Sequence, residues 1–174
     1  ISDFQIEGIS VGDSLLDHFS EDEINSWEKS YYPKSNKFIR LLPTKIANDL
    51  SDGYEIHIKN SDNKYIIYSI KSGKFFVNDM DSCKKYKKKM ISDIIPRFPN
   101  IKPDNYETIY ALSEEDNSKV KSIAFVTDFE IVGGLVRVWC LNWTDIIEVK
   151  RGFVDHFAVN ATSKVFFDWL NNEA

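Results

Sequence analysis

The sequence is poor in the residues that most often carry catalytic or metal chemistry, with three histidines and two cysteines among 174 residues. Neither an HExxH pattern nor another short spacing of metal ligands occurs, and zinc sites need three or four such ligands together. A GxSxG nucleophile elbow, a phosphate-binding glycine-rich loop and a dinucleotide-binding fingerprint are also missing. We therefore predict no metal site, no cofactor and no catalytic residues, which favours a protein that is not an enzyme.

Positive charge is also in deficit, because the chain has 22 lysines and arginines but 27 aspartates and glutamates, which gives a net charge of −5. Affinity for nucleic acid rests on neutralising phosphates, so an acidic chain binds it poorly. The lysine-rich run 84–89 is interpreted as the outward face of an amphipathic helix whose apolar stripe holds Cys83, Tyr86 and Met90. No apolar run approaches the roughly 20 residues that span a bilayer. We predict neither nucleic-acid binding nor a transmembrane segment.

The three histidines, His18, His57 and His156, occur in unlike local contexts. Asp155 and His156 form the most suggestive dipeptide, but neighbouring strand residues point to opposite faces and cannot easily act together. A general acid–base site would need the fold to bring carboxylates to His156 from elsewhere in the chain. An envelope hydrolase of that kind is the enzymatic alternative.

Two capping boxes stand close together near the N-terminus. Ser10 with Asp13, and Ser20 with Glu23, each place an acidic residue three positions after a serine. They predict two short helices in tandem, the second over about residues 21–30. Together these helices would form an N-terminal helical hairpin.

Hydrophobic periodicity organises the rest of the chain. It predicts a strand at 38–42, a meander within 54–77, a central helix that ends before Pro96, a second strand group within 106–161 and a last helix from about Ser163. Strands grouped by hairpins, rather than alternating with helices, indicate an α+β fold. We predict a single α+β domain over residues 1–174. Its antiparallel sheet would lie in two hairpin groups, packed by the helical hairpin, the central helix and the C-terminal helix.

Residues 135–143 form the strongest predicted strand, rich in β-branched and aromatic side chains. Arg137, Trp139 and Trp143 share one face, while Val138 and Cys140 share the other. The tryptophan face is either a second core layer under the terminal helix or a binding surface. In the second case Arg137, Trp139 and Trp143 are the candidate binding residues, and the partner would be a protein, a peptide or a glycan.

The two cysteines allow two interpretations. Cys83 lies on the apolar stripe of the central helix and Cys140 on the inward face of the strong strand, and such burial disfavours a reactive thiol. Free buried thiols are common in cytosolic cores, whereas single bridges are common in exported domains. A compact, acidic cytosolic inhibitor or immunity-type protein with two free thiols is thus a further alternative.

Several segments resemble a family of uncharacterised exported proteins of marine bacteria with streamlined genomes. The segments are FQIEGISVGDSLLD at 4–17, KYIIY at 64–68, DSC at 81–83, VWCLNW at 138–143 and FDWL at 167–170. Family members are similar in starting, after a signal peptide, near the residue where this chain starts, Ile1. The resemblance implies removal of a signal peptide before Ile1, a periplasmic or secreted location, and a disulfide between Cys83 and Cys140. Asn142 stands where the family pattern leads us to expect an aspartate.

The N-terminal region and the meander that follows it also resemble, more distantly, small outer-membrane assembly lipoproteins and β-lactamase-inhibitor-like modules. Those modules pack a helical hairpin on an antiparallel sheet. The chain has no N-terminal cysteine for lipidation, so a lipid anchor is not expected. The sequence as a whole favours an exported, non-catalytic binding or interaction module.

Overall fold

The computed structural model describes residues 1–43, 51–109 and 121–174. These residues form ten strands and four α-helices. The strands are β1 Gln5–Ile6, β2 Ile9–Ser10, β3 Glu28–Tyr31, β4 Phe38–Leu42, β5 Gly53–Lys59, β6 Ile67–Phe75, β7 Asp104–Ile109, β8 Ile123–Ile131, β9 Gly134–Asn142 and β10 His156–Ser163. The helices are α1 Glu21–Ser26, α2 Met80–Ile94, α3 Asp145–Arg151 and α4 Lys164–Asn172.

The predicted α+β fold with antiparallel strands is confirmed. Strands β1 and β2 form a small hairpin, and the other eight form one sheet in the order β3-β4-β5-β6-β10-β9-β8-β7. The two predicted strand groups are therefore consecutive parts of the same sheet, because β6 pairs with β10. Each group of four strands is followed along the chain by a helix, α2 after β6 and α4 after β10.

Contacts divide the described chain into two compact units. The first comprises Ile1–Gly73, Glu130–Val136 and Asn160–Ala174, and the second comprises Lys74–Phe129 and Arg137–Val159. The assignment of residues 1–174 to a single domain stays a prediction.

The first predicted helix is wrong, because the segment after Ser10 is not helical. Ser10 belongs to β2, and its backbone N–H donates to Asp13 Oδ2 at 2.8 Å. Gly12 has a φ of +100°, a left-handed conformation that no right-handed helix contains. A 3-10 turn begins later, at Leu15, and is capped by Ser14. The serine–aspartate pair thus caps a turn where the sequence predicted a helix.

The second capping box is confirmed. Ser20 caps α1, and its side chain and that of Glu23 satisfy each other's backbone N–H groups. The helix ends at Ser26, earlier than predicted, because Trp27 takes an extended conformation and leads into β3. The N-terminal region is therefore a β-hairpin, a 3-10 turn and one short helix, and not a helical hairpin.

In the first unit, α4 packs its aromatic side chains against the sheet. The helix begins at Lys164, close to the predicted start at about Ser163, and Ser163 caps it. Phe166 and Trp169 form a buried cluster with Phe38. Phe38 contacts Phe166 edge-on, with ring centroids 5.1 Å apart. Edge-to-face pairs of this kind add to the free energy gained from burial.

Gly134, the first residue of β9, lies against the backbone of β10. A Cβ at this position would collide with the carbonyl oxygen of Thr162 and would lie 3.2 Å from Ser163 Cα. We expect Gly134→Ala to lower the free energy of unfolding by about 1–3 kcal/mol in urea denaturation, since backbone atoms cannot move aside as side chains can. The control is Gly53→Ala, where nothing lies within 4 Å of the added Cβ. Equal losses in the two variants would contradict this account.

In the second unit, α2 is attached to β9 by a disulfide. Cys83 and Cys140 are both fully buried, and their Cα atoms are 6.1 Å apart. The predicted pairing is thus present at a distance typical of disulfides. The helix also packs Tyr86 edge-on against Phe157, with ring centroids 4.8 Å apart.

The lysines of α2 are exposed, as the sequence predicted, except for Lys87. Lys84 Nζ lies 3.7 Å from the centroid of the Phe125 ring, a cation–π contact. Lys87 is half-buried, and this burial lowers its pKa to about 8 despite the nearby carboxylates of Asp128 and Glu107.

Candidate functional site

The structure places two of the three predicted binding residues in or beside a core. Trp143 is only 8% exposed and belongs to a buried cluster with Leu141 and Ile147, in which Ala124 and Val126 also take part. Trp139 is half-buried and packs against this cluster. Since Ile147 belongs to α3, the helix packed on the tryptophans is α3, whereas the sequence analysis expected the terminal helix.

Arg137, the third predicted residue, makes a bidentate ion pair in the second unit. Its Nε donates to Asp128 Oδ1 at 2.8 Å and its Nη2 to Oδ2 at 2.7 Å. The Tyr106 hydroxyl donates to the same Asp128 Oδ2 at 2.9 Å. The guanidinium charge is therefore compensated within the protein. A binding role for Arg137, Trp139 and Trp143 stays a prediction.

Asp155 and His156 make hydrogen bonds to separate backbone groups. Asp155 Oδ1 accepts the N–H of Trp143 at 2.7 Å, and His156 Nδ1 lies 2.9 Å from the carbonyl oxygen of Val154. Burial, more than any other effect, raises the pKa of Asp155. Neither hydrogen bond joins the two side chains, in keeping with their adjacent positions. The described residues also contain no group of three His, Cys, Asp or Glu that could hold a metal ion.

A partly buried ionic cluster that was not predicted from the sequence lies in the first unit. Its centre is Glu55 on β5, whose Oε2 accepts a hydrogen bond from Lys71 Nζ at 2.7 Å and lies 3.8 Å from Arg40 Nη1. His57 Nε2 lies 3.4 Å from Glu55 Oε1. The strand register brings these four side chains together, because Arg40 pairs with His57 and Glu55 pairs with Lys71. Only the alternation of Glu55 and His57 was visible in the sequence.

Burial and charge fix the protonation states of this ionic cluster. Burial alone would raise the pKa of Glu55, but Lys71, His57 and Arg40 together lower it. Burial lowers the pKa of His57 to about 4, and Lys71 and Arg40 add to the shift while Glu55 opposes it. Burial and the charge of Glu55 raise the pKa of Tyr32 to about 12. At neutral pH the cluster therefore holds a carboxylate, a neutral imidazole and a neutral phenol.

His57 is sealed within the first unit. It is 5% exposed, and its ring centroid lies 4.5 Å from that of Phe166, with the two rings tilted by 31°. Neither ring nitrogen makes a hydrogen bond to a described residue. Ser69, its cross-strand partner, is fully buried and donates its hydroxyl to Asn160 Oδ1 at 2.9 Å. A nucleophile in this position has no access for a substrate. We assign the ionic cluster a structural role.

A groove of about 330 Å³ opens on the opposite face of the same strands, at one end of the sheet in the first unit. We call it the Tyr31 groove. Ile39 and Ile58 form its floor, and Tyr31, Ile39 and Ile58 follow one another in register across β3, β4 and β5. Tyr31 is 61% exposed. The remaining lining residues are Lys29, Asn60, Ser61, Asp62, Asn63 and Tyr65.

The turn between β5 and β6 forms a rigid wall of the Tyr31 groove. Asp62 accepts the backbone N–H groups of Lys64 at 3.0 Å and Ile66 at 3.3 Å, which fixes the turn from within. The Tyr65 hydroxyl donates to Glu21 Oε1 at 3.1 Å and ties the wall to α1. The wall therefore exists before any ligand arrives.

Comparisons with protein-family models, curated proteins and solved structures found no match to this chain. Its own fold is α+β, with a disulfide-bonded helix in the second unit and an open groove at one end of the sheet in the first unit. No helix in the described ranges is long and apolar enough to cross a membrane.

Proposed function

We propose that the protein is a non-catalytic binding domain and that it binds its partner in the Tyr31 groove. The groove is the observation that carries this proposal. It combines an apolar floor with aromatic walls and a rim of amide and hydroxyl groups, a composition typical of binding sites. Exposed tyrosine is also among the side chains that contribute most to binding energy at interfaces.

The proposal includes an oxidising compartment, periplasmic or extracellular, as the place where the domain works. The Cys83–Cys140 pair supports this, because structural disulfides persist outside the reducing cytosol. The resemblance to exported bacterial proteins points the same way. A cytosolic inhibitor would keep both thiols reduced. Whether the cysteines are bonded or free in protein isolated from its host therefore distinguishes an exported protein from a cytosolic one.

The location of binding is tested by NMR with labelled, disulfide-bonded protein. We expect pooled soluble peptides and oligosaccharides to include ligands that shift the amide signals of Lys29, Tyr31 and residues 60–63 above all others. In Tyr31→Ala, these ligands should bind at least tenfold more weakly, because the exposed aromatic wall is removed. Val149→Ala, another exposed position, is the control.

Two other results of the NMR titration would contradict the proposal. Shifts that cluster at Arg137 and Trp139 would overturn the assignment to the Tyr31 groove and move the binding site to the surface predicted from sequence. Ligands that bind but are chemically converted during the titration would overturn the non-catalytic part of the proposal.

A further inference from the structure

The buried imidazole of His57 lies under helix α4, where aromatic rings cover it. Its ring centroid is 4.5 Å from that of Phe166, which belongs to α4, and 6.0 Å from that of Tyr32. Tyr32 in turn packs edge-on against Trp169 of α4, with ring centroids 4.8 Å apart. Departure of α4 from the sheet would therefore uncover the imidazole.

The charges around His57 oppose its protonation while α4 is in place. The ionisable groups that face it are Arg40 on β4, Glu55 on β5, Lys71 on β6 and the neutral phenol of Tyr32. Phe166 and Trp169, the buried residues of α4, carry no ionisable group. An imidazolium would be the third cation around a single carboxylate. A buried charge without a counter-charge of its own is costly.

Hydrogen bonding adds to this cost. A neutral imidazole has one N–H donor, whereas an imidazolium has two. Nε2 of His57 lies 3.4 Å from Glu55 Oε1, but Nδ1 is buried without an acceptor among the described residues. Protonation under the helix would thus create an N–H donor with nothing to receive it, while water would satisfy the same donor once the helix has left.

Helix α4 is attached to the sheet mainly by aromatic packing against Phe38, Tyr32 and His57. Polar links that add to this packing are Lys164 N–H to the Gly133 carbonyl at 2.9 Å, Trp169 Nε1 to Ser35 Oγ at 3.3 Å, and Lys37 Nζ to Glu173 Oε2 at 3.3 Å. The last of these is exposed, and exposed ion pairs contribute little. Breaking these contacts disrupts no pairing between strands.

We propose that α4 is an acid-released latch, in which protonation of His57 frees the helix from the sheet while the strands stay paired. Release uncovers the aromatic sheet surface formed by Phe38 with Tyr32 and Tyr68. The Tyr31 groove lies on the opposite face of the same strands, so the latch does not depend on the function proposed for that groove. It makes access to one face of the first unit depend on pH.

The expected size of the effect follows from the two environments of His57. Its pKa is about 4 under the helix, and an exposed histidine has its ordinary value of 6.5. The open form binds the proton more readily, so opening increases as the pH falls below 6.5 and levels off at about pH 4. Between pH 7 and pH 5 the ratio of open to closed molecules should rise about twentyfold.

Amide hydrogen exchange in the full chain with its disulfide intact tests the latch. Rates at pH 7 and pH 5 are divided by those of unstructured peptides at the same pH, which gives a protection factor for each amide. We expect the protection of amides 168–172 to fall about twentyfold between pH 7 and pH 5 and to be at least tenfold below that of β5 at pH 5. Equal protection of α4 and β5 at pH 5 would show that the sheet opens together with the helix, which would overturn the proposal. Protection of α4 that does not change with pH would overturn it as well.

Two histidine variants assign the effect to its residue. In His57→Gln the protection of α4 should change less than threefold between the two pH values, because glutamine does not titrate. His18→Gln, near the surface beside Asp13, should keep the twentyfold change. If His57→Gln does not fold, His57→Phe replaces it, since phenylalanine also has an aromatic ring and does not titrate. A twentyfold change that survives without His57 would assign the release to another group and overturn the proposal.

Discussion

Reduction of the Cys83–Cys140 disulfide is expected to lower the free energy of unfolding by about 4 kcal/mol. The two cysteines are 57 positions apart, so the bond closes a long loop and removes many conformations from the unfolded chain. Both side chains are fully buried between α2 and β9. A loss of this size is a large fraction of the stability of an ordinary domain.

The measurement is urea denaturation with and without a reductant, followed by intact mass. Reduction should add about two hydrogens to the mass and shift the transition to lower urea. The double variant Cys83→Ala with Cys140→Ala should already be destabilised, and reductant should change it no further. An unaltered transition in the reduced protein would contradict the prediction. Two free thiols in protein isolated from its host would overturn the oxidising compartment.

Acid is expected to destabilise the protein through His57, by about 2 kcal/mol between pH 7 and pH 5. The pKa of His57 in the folded protein is about 4, lower than its ordinary value of 6.5. The unfolded chain therefore takes up a proton at this residue before the folded protein does. Stability falls as the pH decreases below 6.5, and the loss from this group is complete at about pH 4.

Glu55 acts in a lower range of pH. Its pKa is lowered in the folded protein, so the stability that it contributes is present above the pKa of the unfolded chain and is lost as the pH falls through the folded value. Between pH 7 and pH 5 the carboxylate remains ionised in both states. Among the groups of the ionic cluster, the change in stability over that interval therefore comes from the histidine.

The test compares denaturation at pH 7 and pH 5 in His57→Gln and in a matched control, His18→Gln. His57→Gln should lose most of the difference between the two pH values, whatever its absolute stability, because glutamine does not titrate. His18 lies near the surface beside Asp13, and its replacement should leave most of the difference in place. A pH dependence that survives in His57→Gln would show that another group is responsible.

Local sequence rules succeeded where the interaction that they describe is local. The Ser20 and Glu23 capping box begins a helix as predicted, and the apolar stripe of the central helix places Cys83 in the interior. The pair Ser10 and Asp13 has the same spacing, but Gly12 between them adopts a left-handed conformation. A capping pattern predicts a helix only where the following backbone can be helical.

The candidate site could be predicted less well, because it depends on strand register. The alternation of Glu55 and His57 on β5 can be read from the sequence. Their partners Arg40 and Lys71 come from neighbouring strands, and the sequence does not show which residues those strands pair with. Trp143 was predicted to end a strand whose tryptophan face suited either a core or a binding surface, but it follows β9 directly, and α3 packs on it through Ile147. Contacts between distant segments are not encoded in a local pattern.

The Tyr31 groove was invisible to sequence reasoning for a similar reason. Tyr31 directly follows residues 21–30, which were predicted to be helical, although Glu28–Tyr31 is in fact strand β3. The end of α1 at Ser26 converts the following residues into an edge strand. Because α1 ends early, Glu28–Tyr31 can form the edge strand β3, and Tyr31 on this strand becomes the aromatic wall of the groove.

The disulfide also determines how the molecule tolerates cleavage of its backbone. Any single peptide bond cut by a protease between residues 83 and 140 lies inside the closed loop. The two resulting pieces stay covalently joined and cannot diffuse apart. In an environment rich in proteases, the chain can therefore be nicked within the loop and still persist as one molecule until a reductant separates it.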